Sequence, residues 1–338
     1  MTLDLLAFGE VLWDIFQVGG PDDFRRVIGG APANVAVQVA RLGGRSAIVG
    51  AVGRDAFGDD LASRLRAEGM ETRRTLATRA ERTGIAFVLR TPEGQPRFLF
   101  YRQATADMAY ETSDLPSPLP RARFALVGTS TLVVSHLARA TRAFMRGVAA
   151  NGTLLVSDLN VRAHLWASDR KRIRAAAAEI LAPAHLVKAS ADDLAALDLG
   201  DEAAALAWVR ARAPSATVFV TRGDGPTSVL GAFGRVDVPA LRAKRCVDAT
   251  GAGDGFIGGM VRLFAALPVR SRTTPDAAAA RAAATIGNAM GARVVQGVGA
   301  LGADTRPLRA TCERLVLSLT SPASPASPAR RATEKAPK

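Results

Sequence analysis

The chain has 338 residues, 48% of them hydrophobic and 22% charged, which suits a folded protein with a sizeable core and excludes a disordered one. No uninterrupted apolar run is long enough to span a bilayer, and Met1-Thr2-Leu3-Asp4-Leu5-Leu6 has neither the basic region nor the cleavage site of a signal peptide. The formal net charge of +13 comes mostly from arginines scattered singly (Arg139, Arg142, Arg146), with no aromatic-interleaved basic patch, which argues against a nucleic-acid partner. Cys246 and Cys312 stand far apart without metal spacing, so a reduced, cytoplasmic protein is expected.

In chain order, residues 3–8 read as a buried strand. Residues 33–42 follow with helical spacing of Val35, Val39 and Leu42, then a short strand at 47–52 and an amphipathic helix at 57–69 ended by Gly69. Strands and helices then alternate: strand 124–128, helix 136–150, strand 153–157, helix 169–182, strand 185–188, helices 190–197 and 202–213, strand 216–221. Ala-rich helices are expected near 253–266, 276–293 and 305–318. This alternation predicts an α/β fold, a central and mostly parallel sheet with helices on both faces. Two stretches, about 10–28 and 83–103, read as strands without intervening helices, the second turning at Thr91-Pro92-Glu93-Gly94. They predict a small separate sheet inserted into one domain over residues 1–320. The Ser-Pro-Ala repeats of 321–338 predict a disordered tail, since little there can be buried.

The most informative segment is Asp248-Ala249-Thr250-Gly251-Ala252-Gly253-Asp254, which runs into the apolar Phe256-Ile257-Gly258-Gly259-Met260-Val261. A small-residue turn opening a helix leaves N–H groups pointing into one concavity, a place for phosphate. A carboxylate there repels phosphate unless it takes the proton of an attacking hydroxyl, so Asp254 is the candidate general base, with Gly251, Ala252 and Gly253 as the anion hole. No Gly-x-x-x-x-Gly-Lys-Ser/Thr motif is present, which excludes the P-loop mode. His136, His164 and His185 share no metal spacing and are given no chemistry. Trp166 reads as core.

The Asp-x-Thr-Gly-Ala-Gly-Asp run resembles the C-terminal signature of the PfkB, or ribokinase-like, carbohydrate kinases. Gly29-Gly30-Ala31-Pro32-Ala33-Asn34, Arg41-Leu42-Gly43-Gly44 and Gly50-Ala51-Val52-Gly53-Arg54-Asp55 are similar to the N-terminal one. Phe100-Tyr101-Arg102 with Ala106-Asp107-Met108 resembles the bacterial fructokinase branch, while Asp158-Leu159-Asn160-Val161-Arg162 is shared with 2-keto-3-deoxygluconate kinases. The resemblance implies a ribokinase-like fold in which the small sheet is a lid and a homodimer surface. It implies transfer of phosphate from ATP, with Mg2+, to the 6-hydroxyl of fructose. 2-Keto-3-deoxygluconate kinase, another sugar or nucleoside kinase, and a catalytically inactive binding protein are the alternatives. Asp14, Gly29, Gly30, Asn34, Arg102, Asn160 and Arg162 are the implied substrate residues. Asn34 reads equally as the N-cap of the following helix and Arg102 as a solvated strand end. Ser190, Thr221, Gly223, Gly225 and Asn288 are implied on the ATP side. Asp193 is either a water-mediated metal ligand or a helix N-terminal charge, and Asp248 with Thr250 lies where some relatives bind K+.

Overall fold

The computed structural model describes residues 2–20, 22–73, 75–90 and 96–321. Its strands are β1 (Leu3–Phe8), β2 (Leu12–Gln17), β3 (Phe24–Gly29), β4 (Ser46–Gly53), β5 (Leu76–Arg79), β6 (Gly84–Arg90), β7 (Pro96–Tyr101), β8 (Ala122–Gly128), β9 (Leu154–Asp158), β10 (Leu186–Ser190), β11 (Thr217–Arg222), β12 (Gly225–Gly231) and β13 (Gly234–Val238). The helices are α1 (Ala31–Arg41), α2 (Ala56–Ala67), α3 (Ser135–Ala150), α4 (Arg170–Leu181), α5 (Ala191–Ala196), α6 (Glu202–Arg212), α7 (Ala252–Ala266), α8 (Val269–Thr273), α9 (Ala277–Val294) and α10 (Arg309–Thr320).

Among the described residues the larger sheet has nine strands, ordered β13-β12-β11-β10-β9-β8-β1-β4-β5. It is parallel from β11 to β5, and antiparallel where β12 and β13 close one edge. Strand β1 is buried along its whole length, as a strand covered on both faces must be. Alternation sends Leu5 and Ala7 into a core shared with α1, α7 and α9, and Leu6 and Phe8 into a second core shared with α3 and α4. Parallel strands in a doubly wound sheet deliver loops to their carboxyl ends, where ligands bind.

The helix-free stretches form the separate small sheet, ordered β3-β2-β6-β7, with β2 and β6 parallel and the outer pairs antiparallel. Its inner face carries Leu12 and Asp14, the latter opposite Val27 on β3 and Ala86 on β6. Several boundaries differ from expectation. Helix α1 starts at Ala31, because Gly30 and Pro32 begin it. The short β5 and the hairpin β12–β13 were not expected, since the hairpin's exposed positions dilute its apolar pattern. The turn expected at Thr91–Gly94 lies outside the described residues, as does the tail beyond Ser321.

Candidate active site

A cavity of about 590 Å3 opens at the carboxyl ends of β9 and β10, between the inner face of the small sheet and the start of α7. Five of the ten helices among the described residues are closed by a side chain: Asp55, Asp169, Ser190, Asp201 and Asp276 accept from the first-turn N–H groups of α2, α4, α5, α6 and α9. Helix α7 has no such cap. Its N-cap, Gly251, has φ 78°, and a Cβ there would fall 2.1 Å from the Ala300 Cβ. Only glycine fits, and Gly253 and Asp254, whose N–H groups a cap would consume, line the cavity, while the Ala252 N–H donates to Ala249 O at 3.3 Å. Helix α1 is likewise uncapped, and Gly30 and Ala31 line the cavity.

Asp254, in the first turn of α7, is buried at the cavity wall. Its Oδ2 accepts from Asn34 Nδ2 at 2.9 Å, a bond that joins α1 to α7. Burial holds the Asp254 carboxyl above its ordinary range, while the Asn34 hydrogen bond, Arg162 and Lys188 pull against it and Glu10 adds to it. Asn34 sits in the first turn of α1 beyond the N-cap, which is Gly30, so the capping reading of Asn34 is corrected. Asn34 Oδ1 and Asp158 Oδ1 are buried without a hydrogen-bond partner among the described residues. Asp158 Oδ1 has the Lys188 ammonium 3.4 Å away as an ion-pair partner, whereas an orphaned buried acceptor such as Asn34 Oδ1 costs about 1–3 kcal/mol and asks for a donor from a ligand.

Asp14 faces the same space. Burial, then the charge of Asp254, pushes its carboxyl up to about 7, with Arg162 and Arg102 opposing. Gly29 does not line the cavity. A Cβ there would meet Asp14 Cγ at 2.5 Å, so Gly29 makes room for the carboxylate instead of touching a ligand. Arg102 lines the cavity and is clamped by Asp107, whose Oδ2 accepts from Arg102 Nε at 2.9 Å and from Nη2 at 2.5 Å. The solvated-strand-end reading of Arg102 is therefore also corrected, its side chain being 10% exposed. Asn160, with φ 36°, and Arg162 line the cavity from the turn after β9.

Asp193 closes a capping box with Ser190. Its Oδ2 accepts from Ser190 N at 2.7 Å and its Oδ1 from Val161 N at 2.6 Å. The helix-terminal reading of Asp193 thus has the geometry, and the carboxylate also fastens the 160–162 turn. Asp248 accepts from Thr250 N and Oγ1 through Oδ1 and from Gly299 N through Oδ2. Both oxygens are engaged inside the loop, so a monovalent cation there would depend on backbone carbonyls. Thr221, Gly223, Gly225 and Asn288 lie outside the cavity lining. Asn288 accepts from Thr227 Oγ1 at 2.8 Å and donates to Pro239 O at 2.9 Å.

The sequence reading missed Lys188. Its ammonium is buried 3.4 Å from Asp158 Oδ1 and 3.7 Å from Asp193 Oδ2, and a Cβ on Gly253 would come within 3.0 Å of it. A cation beside the positive end of a helix is unfavourable unless an anion joins them. Burial lowers the Lys188 affinity for its proton, yet Asp158, Asp193 and Asp254 outweigh this and keep it charged. Glu10, accepting from Ser130 Oγ at 3.0 Å, and His164, stacked on Phe100 at 4.8 Å, were also passed over and line the cavity. Among the described residues His136 and His185 bond to backbone, and Trp166 is core.

The pfkB family carbohydrate kinase model matches residues 5–306. The chain belongs to that family. The kinase is thus a phosphotransferase that acts on an alcohol group. It is 34% identical to Fructokinase-1 of Oryza sativa subsp. japonica, over 76% of this chain and 82% of that one. Among solved structures it resembles a fructokinase of Xylella fastidiosa with bound ATP, at TM-score 0.80 and 28% identity, covering 94% of this kinase and 99% of that chain. It also resembles an aminoimidazole riboside kinase of Salmonella enterica complexed with aminoimidazole riboside and an ATP analog, at TM-score 0.79 and 25% identity, covering 92% and 99%. No helix among the described residues is long and apolar enough to cross a membrane.

Proposed function

We propose that the kinase transfers the γ-phosphoryl group of ATP to the 6-hydroxyl of fructose. The observation that carries this reading is the meeting of a buried, Asn34-bonded Asp254 with the uncapped N-terminus of α7 and the ammonium of Lys188. In this reading Asp14 and the orphaned Asn34 Oδ1 accept sugar hydroxyls, and Arg102 forks onto sugar oxygens. The hydroxyl gives its proton to Asp254 as its oxygen attacks phosphorus. The N–H groups of Gly251 and Gly253, with Lys188 and Arg162, stabilise the charge on the transferring group, while that of Ala252, expected to join them, donates to Ala249 O and holds the loop. Ser190 lines the cavity, and in this reading Thr221, Gly223, Gly225 and Asn288, outside that lining, would serve the base of ATP.

No group of three or more His, Cys, Asp or Glu among the described residues is arranged to hold a metal ion. This donor set fits Mg2+ carried by the phosphates and water, with Asp193 reached only through water, where the ion would neutralise phosphate charge. K+ beside the Asp248–Thr250 loop is a further part of the proposal. So are one domain over 1–320, a tail over 321–338 and a cytoplasmic location. The small sheet is proposed as a lid and homodimer surface. Phe24 and Tyr101 flank Phe87 edge-to-face on its outer side and stand 45% and 64% exposed, an apolar face that a second copy would cover.

The test is coupled ADP release with Mg2+ across fructose, 2-keto-3-deoxygluconate, ribose, adenosine and aminoimidazole riboside, with K+ exchanged for Na+. Preference for fructose by tenfold or more in kcat/KM is expected. A stronger rate on any other acceptor moves the substrate and keeps the mechanism, and ATP binding without turnover on all of them overturns both.

A further inference from the structure

A second cleft, of about 410 Å3, lies between β3 of the lid, α2 and the 301–306 loop. Five arginines line it, Arg25, Arg26, Arg41, Arg64 and Arg306, with the guanidinium groups of Arg26 and Arg64 over the Trp13 ring at 4.1 and 5.0 Å. The carboxylates that pair with them are shared. Asp60 bridges Arg26 and Arg64, and Glu68 bridges Arg41 and Arg306, the latter also meeting Asp304. Arg25 has no ion pair with a described residue. Burial would raise the Glu68 carboxyl, but the hydrogen bonds and charge of Arg41, with Arg306, hold it below its ordinary range. Five cations against three carboxylates leave the cleft two positive charges in excess. A phosphate monoester carries close to that charge in the opposite sense at neutral pH, and guanidinium forks match its oxygens.

The cleft is wired to the catalytic cavity by its own floor. Arg41, with a side chain only 7% exposed, donates through Nη1 to Leu301 O and Ala303 O, both at 3.1 Å. The next residue toward the cavity, Ala300, accepts from Gln38 Nε2 at 3.0 Å and packs on Gly251 of the anion hole. Gly299 N donates to Asp248 at 2.8 Å. On the lid side Val27, which lines the cleft, is the register partner of Asp14. Val27, Ile28 and Leu301 supply an apolar wall for a carbon skeleton.

We propose that this cleft is an effector site for a small phosphate monoester, and that its occupancy is felt at the anion hole through residues 299–303 and at the sugar through β3. It lies outside the cavity assigned to the reaction, so its binding test does not depend on which sugar is phosphorylated. The test uses the full chain and the Arg25→Ser/Arg306→Ser variant, neither position being in the catalytic cavity. Calorimetric titration with glycerol 3-phosphate, fructose 6-phosphate and inorganic phosphate is run on both, and repeated in Asp254→Asn to separate binding as a product. Initial rates are measured with glycerol 3-phosphate present. Expected are one glycerol 3-phosphate site in the wild type, a shift of about twofold or more in the KM for sugar, and a loss of affinity of about tenfold or more in the double variant, as befits two lost charge-assisted contacts. The double variant without effector should keep kcat and KM within about twofold of wild type. Unchanged affinity in the double variant, absence of binding, or equal binding of inorganic phosphate with no change in KM would each overturn the proposal.

Discussion

The side chain on which the reaction turns, Asp254, offers only part of itself. One oxygen is held by Asn34, and no described residue donates to the other. A hydroxyl must therefore come to Oδ1, from one side, which restricts which of several sugar hydroxyls is phosphorylated. Asp254→Asn should keep sugar and ATP affinity and lower kcat by about 10²–10⁴, the usual value of a positioned base. A variant with near-normal kcat would end that assignment. Lys188→Met should lower kcat and also leave the buried Asp158 carboxylate without its cation, at a cost of about 3–5 kcal/mol by urea denaturation. Adding Asp158→Asn should recover stability but not turnover; recovery of both would make Lys188 merely structural. Asp14 gives the pH dependence. Its folded value near 7 exceeds its unfolded one, so the folded state binds the extra proton, and its contribution to stability falls as pH rises from about 4 through about 7. Asp158, pushed up to about 6 by burial despite Lys188, acts in the same sense. Thermal unfolding of the ligand-free kinase should show Asp14→Asn melting above wild type at pH 8 and close to it at pH 5, while its sugar affinity drops. A wild-type Tm at pH 8 at or above that of the variant would contradict this.

At the scale of elements, the catalytic loop is a fit between α7 and the segment after α9. Gly251 has both a left-handed backbone and no room for a Cβ, so Gly251→Ala should destabilise the fold by about 1–3 kcal/mol and disperse the anion hole. Ala300→Gly in that background takes away the Cβ contact but leaves the Ala300 Cα at 2.4 Å and the left-handed backbone cost, so urea midpoints should recover little. The central strands were legible because β1 and β4 are apolar along nearly their whole length, and the small sheet because its strand segments came without intervening helices. The base and its glycines were legible because residues 248–254 lie together in sequence. Lys188 was not, because one lysine at a strand end carries no local signal; its meaning comes from Asp158, thirty residues earlier, and Gly253, sixty-five later. The Asn34 bond, spanning 220 residues, is equally a product of packing, and local sequence offered only the cap that Gly30 in fact supplies.

For the whole molecule, apolar layers cover both faces of the large sheet, whereas the outer face of the small sheet is buried at Trp13 but leaves Phe24 and Tyr101 45% and 64% exposed. Sedimentation should find a dimer for the wild type and a monomer for Phe24→Glu/Tyr101→Glu; identical masses would remove the lid from the interface. The small sheet, proposed above as a lid, is also not an insertion in the ordinary sense. Its central pair, β2 and β6, is parallel, because the chain visits the lid, returns to lay down α1, β4, α2 and β5 in the main body, and visits it again. Half of the lid is therefore made before the first crossover of the body and half after it. Exchanging substrate preference between such kinases by transplanting the lid as a cassette should fail with either half alone. Residues 12–29 and 84–101 have to travel together, as one graft with two sutures in the host chain.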